Sequence, residues 1–212
     1  MSVKKIATIG VLCAMAMVVN VLIHFPIVPA ASFMNYDPKD IVIVTGGFIM
    51  GPMAVVIMSS ICSVLELMIR GGTIIDLIMN IFSTCAFACT AALIYQKKHT
   101  KKGALLGLLS GVVVSVVVMM LWNYIVTPIY YQMPREAVIA MLPAIFLFNI
   151  LKYGLNAALT LALYKPLVTI LRRSSLVEKH GNEKKSGKGM LLLGLFLAVT
   201  ILCIVLSLKG LI

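Results

Sequence analysis

Four polar side chains, Asn149, Lys152, Tyr153 and Asn156, interrupt an otherwise apolar run. Their spacing of i, i+3, i+4 and i+7 puts them on one face of a helix. An ionisable group in such a run is costly to hold in lipid and marks a functional site by default. A lysine snorkelling to the interface is the alternative, but it leaves two amides and a phenol without purpose. A second polar group, Asn35-Tyr36-Asp37-Pro38-Lys39-Asp40, lies between two apolar segments and precedes Thr45-Gly46-Gly47-Phe48-Ile49-Met50-Gly51-Pro52. A chain that needed only a turn there would use a short bland one, so this stretch is expected to handle something polar.

Smaller signals accompany these two. Glu66 stands four residues before Arg70, the order favoured for a helical ion pair, and a ligand role is equally open to it. Asp76 follows Gly71-Gly72-Thr73 and is placed to cap a helix start, with Asn80 one turn further on the same face. Asn123 lies among Trp122, Tyr124, Tyr130 and Tyr131. Those aromatics fit a membrane-interface belt, whereas an amide just inside a span can both donate to and accept from a planar heterocycle.

Other chemistries lack their residues. No G-x4-G-K-[ST] string cradles a nucleotide phosphate, no His-Glu-x2-His string holds zinc, and no Gly-x-Ser-x-Gly elbow presents a nucleophile. His24, His99 and His180 are scattered, so neither a metal nor a bound cofactor is expected. The five cysteines all lie in apolar runs and read as small buried side chains.

The elements that must position these residues follow from composition. With 61% hydrophobic and 12% charged residues in a chain of 212, this is an all-α integral membrane protein. Breakers place helices at about 6–23, 40–50, 52–69, 73–95, 103–126, 143–170 and 189–208. The second is too short to cross alone and must be a partial span, or continue with a kink through Gly51-Pro52. The organisation expected is a six-helix domain over residues 1–172, a basic linker over 173–188, and an appended C-terminal transmembrane helix over 189–212.

The net charge of +11 sits in short clusters between apolar runs. It therefore reads as topology rather than nucleic-acid binding. Lys4, Lys5, the Lys97–Lys102 cluster and residues 172–188 fall on one side, which makes the N-terminus cytoplasmic and the Asn35–Asp40 loop external. Small residues mark close helix approaches. Gly103, Gly107, Gly111 and Ser115 suit packing inside the bundle, while Ala7, Gly10 and Ala14 leave a smooth face on the first helix for a membrane partner.

Residues 5–172 resemble the substrate-binding S components of energy-coupling factor (ECF) vitamin transporters. The resemblance rests on Asn35 to Asp40, Gly46 to Pro52, Met79-Asn80-Ile81-Phe82-Ser83, and Trp122-Asn123-Tyr124 followed by Pro128-Ile129-Tyr130. Together these are most similar to the riboflavin-specific branch. The fourth-helix motif Asp76-Leu77-Ile78-Met79-Asn80 departs from the Gly-Glu-Leu-x-Asn pattern of many such proteins, and the seventh helix is extra to the usual six.

The resemblance implies a cell-membrane binding subunit rather than an enzyme. It would capture a vitamin from outside and work with a transmembrane T component and two cytosolic ATPases, which alone use ATP. It implies a loop over residues 29–36 that lids the pocket, and docking to the T component through Gly10 and Ala14. Ligand contacts are implied at Asn35, Tyr36, Asp76, Asn80, Asn123 and Lys152. Asp37 and Asp40 could accept from ribityl hydroxyls, and Asn149 and Asn156 complete the stripe. The other readings are an S component for pantothenate or a thiamine precursor, and a small intramembrane enzyme using Glu66 and Asp76.

Overall fold

The structure is a computed structural model that describes residues 2–29, 34–173 and 188–208. Residues 30–33 of the expected lid, residues 174–187 of the expected linker, and residues 209–212 lie outside the described residues.

Seven helices are found among the described residues: α1 (Val3–Leu22), α2 (Lys39–Met50), α3 (Pro52–Arg70), α4 (Ile74–Lys97), α5 (Lys101–Tyr130), α6 (Arg135–Arg173) and α7 (Lys188–Leu208). A two-residue antiparallel ribbon, β1 (Phe25–Pro26) with β2 (Asn35–Tyr36), joins α1 to α2. Five helices are long and apolar enough to cross a membrane: α1, α3, α4, α5, and α6 over Arg135–Tyr164. Within α7, Gly194–Leu206 forms a shorter apolar stretch.

Helix starts follow local chemistry. Thr73 and Asp76 form a reciprocal capping box at α4, and Thr100 accepts from the Gly103 amide at α5. Two helices exceed their expected lengths. α5 runs on through Pro128 to Tyr130, and α6 starts at Arg135 rather than Pro143 and continues past both Pro143 and Pro166. Pro134 stands just before the first turn and Glu136 within it, where the free amides favour an acid.

α2 is the helix that the others surround. It packs on α1, α3, α4 and α6, and its 12 residues span only about 18 Å at 1.5 Å per residue. It is short because its first turn is already inside the protein: Lys39 and Asp40 are both 0% exposed. At its other end a single residue, Gly51, turns the chain into α3 with φ of +94°, a conformation that favours glycine. A Cβ there would also collide with the Gln96 side chain.

The long core packs Leu12, Ala16, Ile43, Val55, Met58, Phe87, Ala88 and Ala91 around α2. The expected glycine seam is a bundle-packing seam. A Cβ on Gly107 would stand 2.7 Å from the Ala91 carbonyl oxygen, and one on Gly111 would stand 2.7 Å from that of Phe87. α4 and α5 therefore touch backbone to backbone. Cys13 and Cys62 are buried, Cys85 and Cys89 are half-buried, and Cys203 is exposed, against the expectation that all five are buried.

Candidate functional site: a polar cavity beside a buried charge network

The residues singled out at Asn35–Asp40 and on α6 come together across more than a hundred positions of sequence. The Tyr36 hydroxyl donates to Asn156 Oδ1 at 2.7 Å. Asn156 Nδ2 lies 3.4 Å from Asp40 Oδ2, and Thr84 Oγ1 donates to Asp40 Oδ1 at 2.8 Å. Buried polar groups are tolerated when they satisfy one another. This closed knot pins the strand and the first turn of α2 to α4 and α6. Burial pushes the Tyr36 phenol well above its ordinary pKa, so it remains a donor at any physiological pH.

A second layer carries the charge. Lys152 Nζ lies 2.7 Å from Asp37 Oδ1, and Lys39 Nζ lies 3.2 Å from Asp37 Oδ2. Lys152 is 8% exposed, so it is a buried, ion-paired lysine rather than a snorkelling one. Lys39 also contacts Glu66 and donates to Asn80 Oδ1 at 2.7 Å. Asn80 Nδ2 returns a hydrogen bond to Glu66 at 2.6 Å. The expected Glu66–Arg70 pair is present at 3.5 Å, and Arg70 reaches on to the His24 ring and the Asn20 carbonyl. Burial pushes the Asp37 carboxyl up, but Lys152 and Lys39 overcome that and hold it down at about 2.

In front of the network lies a cavity of about 570 Å³. Of the expected ligand residues, Asn35, Asp37, Asp76, Asn80, Asn123, Asn149 and Lys152 line it, while Tyr36, Asp40 and Asn156 are not among its lining residues. Those three hold the wall from behind. Asn123 is anchored along its own helix, donating to the Met119 carbonyl at 2.8 Å and accepting from Thr127 at 3.1 Å. Asn149 is tied likewise to Ile145. Asp76 serves the α4 cap and also accepts from Tyr130 at 3.3 Å. Met79, Met119, Trp122, Val138, Ile145 and Phe148 supply an apolar slot between these groups, the mixture that a flat amphipathic ligand needs.

Some of these residues escaped the sequence reading. Lys39 stands out in the sequence only as a member of the Asn35–Asp40 stretch, with no role of its own, yet it is the hub of the network. Ser63 lines the cavity, and its buried Oγ has no hydrogen-bond partner among the described residues. The signal was available, because Ser63, Glu66 and Arg70 recur at i, i+3 and i+7 on one face of α3. Away from the cavity, Ala7, Gly10 and Ala14 lie on the exposed side of α1. A Cβ on Gly10 would meet nothing within 4 Å.

Known proteins resemble this chain over most of its length. A riboflavin transporter, RibU, of Staphylococcus aureus (strain TCH60) is 28% identical over 177 residues, covering 80% of this chain and 93% of the relative. The riboflavin transporter FmnP of Bacillus subtilis (strain 168) is 27% identical over 134 residues, 61% of this chain and 70% of the relative. A solved structure described as "Structure and mechanism of the S component of a bacterial ECF transporter" superposes with a TM-score of 0.67 at 27% identity. That match covers 80% of this chain and 98% of the solved one. The family described as "ECF transporter, substrate-specific component" matches residues 4–164. With that match over most of its length, the chain belongs to the substrate-specific components of ECF transporters, multi-spanning membrane transport subunits that are not enzymes.

Proposed function

We propose that this chain is the riboflavin-capturing subunit of an ECF importer. The observation that carries the reading is the convergence of Asn123, Asn149 and Lys152 with Asp37 and Asn80 on one cavity whose remaining wall is apolar and aromatic. Riboflavin presents a planar tricycle, a uracil-like edge and a hydroxylated tail. The slot beside Trp122 suits the tricycle, the amides of Asn123 and Asn149 with Lys152 suit the edge, and Asp76 and Asn35 suit the tail. The names of the relatives above support the same vitamin.

Binding needs no ATP in this reading. The Lys152–Asp37 pair is formed within the protein itself, so the site is preorganised for an uncharged ligand. The N-terminus lies in the cytoplasm and the cavity opens outward. Residues 1–172 form the binding domain, followed by the linker at 173–188 and an extra membrane helix at 189–212. A T component and ATPases do the work of import, with the T component docking on Ala7, Gly10 and Ala14. Tryptophan at both Gly10 and Ala14 abolishes uptake and leaves binding intact; normal uptake by that variant removes the docking face.

Flavin-fluorescence titration of the purified chain without ATP tests the vitamin. Saturable quenching by riboflavin, with no competition from pantothenate or thiamine, is the expected result. No quenching by riboflavin, with saturable binding of pantothenate or thiamine in calorimetry of the same protein, assigns another vitamin to the same cavity.

A further inference from the structure

The family match ends at residue 164, before α7 begins, yet α7 is docked on the binding domain. Gly194 is pressed onto α6: a Cβ there would stand 2.7 Å from the Ala158 carbonyl oxygen and 2.7 Å from the Ala162 amide nitrogen. A Cβ on Gly154 would stand 3.4 Å from the tip of Ile201. The two helices therefore run antiparallel, with each step along α7 a step back along α6. That register carries Ala198 and Val205 along the same surface of α6, and both α7 residues are buried. They belong to one apolar cluster with Phe148, Leu151, Leu155 and Ala158 of α6 and Tyr36 of the ribbon.

Phe148, Leu151 and Leu155 fill the α6 surface between the polar stripe and the positions that α7 meets. The α6 positions that α7 touches, Gly154 and Ala158, stand two residues after Lys152 and Asn156, about 200° around the helix, so the segment is held from nearly opposite sides, by α7 on one and by the charge network on the other. A small rotation of α6 would swing Lys152 away from Asp37. We propose that α7 is a positioning element of the binding site, keyed through Gly194 and Ala198, that fixes the rotation of α6 and so slows ligand escape.

This inference rests on the riboflavin reading for its kinetic arm only. The full-length chain carrying Gly194→Leu, or the milder Ala198→Leu, is compared with the unaltered chain and with Phe196→Ala on the exposed face of α7. Hydrogen exchange of the ligand-free proteins is expected to lose about tenfold protection across residues 148–158 in the Gly194 and Ala198 variants. Protection in α1 and α3 is expected to stay unchanged, as is all protection in Phe196→Ala. Riboflavin is expected to dissociate about tenfold faster from those two variants at an association rate within about threefold of normal. Unchanged protection at 148–158, or a uniform loss over all helices, overturns the positioning role. If the unaltered chain does not bind riboflavin, the vitamin reading falls, and the exchange arm still decides on α7.

Discussion

The cavity wall and the α4–α5 seam bury their surfaces in opposite ways. At the wall, α2, α3, α4 and α6 are joined by Lys39, Glu66, Asp37, Lys152 and Asn80, side chains that are expensive to remove from water and that compensate one another. Along the seam, Gly107 and Gly111 let two backbones touch directly, with no charged pair needed to join them. In lipid, close contact is enough to hold helices together. The network is therefore more than adhesive: it keeps polar groups in place beside the cavity. The seam keeps the scaffold rigid while that happens.

The comparison is broken most severely at Lys39. Removing it takes away the cation that Asp37 and Glu66 share and leaves them only Lys152 and Arg70, so Lys39→Met should cost the ligand-free protein about 3 kcal/mol, measured as thermal or denaturant unfolding in detergent. A loss of less than about 1 kcal/mol would mean that the wall holds without its charges. Next comes the seam. Gly107→Ala forces a methyl group into the Ala91 carbonyl and should cost about 1–3 kcal/mol, with riboflavin affinity unchanged in the protein that remains folded. A large affinity loss there would erase the division between scaffold and site.

Smaller effects are expected inside the cavity. Asn123→Ala and Ser63→Ala should each weaken riboflavin binding about fivefold to tenfold, the value of one hydrogen bond, without lowering the unfolding temperature. A fall in stability with unchanged affinity would turn either into a packing residue. The smallest effect is that of pH. Asp37 has a folded-state pKa depressed to about 2, so its contribution is fully present above the unfolded value of about 4. It is lost only as pH falls from there through 2. Stability from this group should be flat from pH 8 to 5, and a Lys152→Met variant should lose part of that acid resistance.

Much of this was legible in the sequence, for a physical reason. Lipid forces helices and penalises polar groups within them, so the α6 stripe and the Asn35–Asp40 stretch stood out against an apolar background. Their pairing was not legible. Nothing local says that Lys152 meets Asp37, or that Asp40 and Asn156 hold the wall from behind while Asn149 faces the cavity. The role of Lys39 within its stretch was not legible either, because a lysine just before a helix shows no partner until the helix start proves to be buried. The early start of α6 was missed because Pro143 looks like a helix beginning, although a helix can carry a proline when its neighbours satisfy the freed groups.

The central claim is that the cavity beside Lys152 and Asp37 holds riboflavin. Mass spectrometry of whatever small molecule leaves the purified chain on denaturation, after expression in riboflavin-replete cells, tests it most directly. Riboflavin from the unaltered chain and none from Lys152→Ala is the predicted outcome. A different vitamin, or equal riboflavin from both proteins, would contradict it.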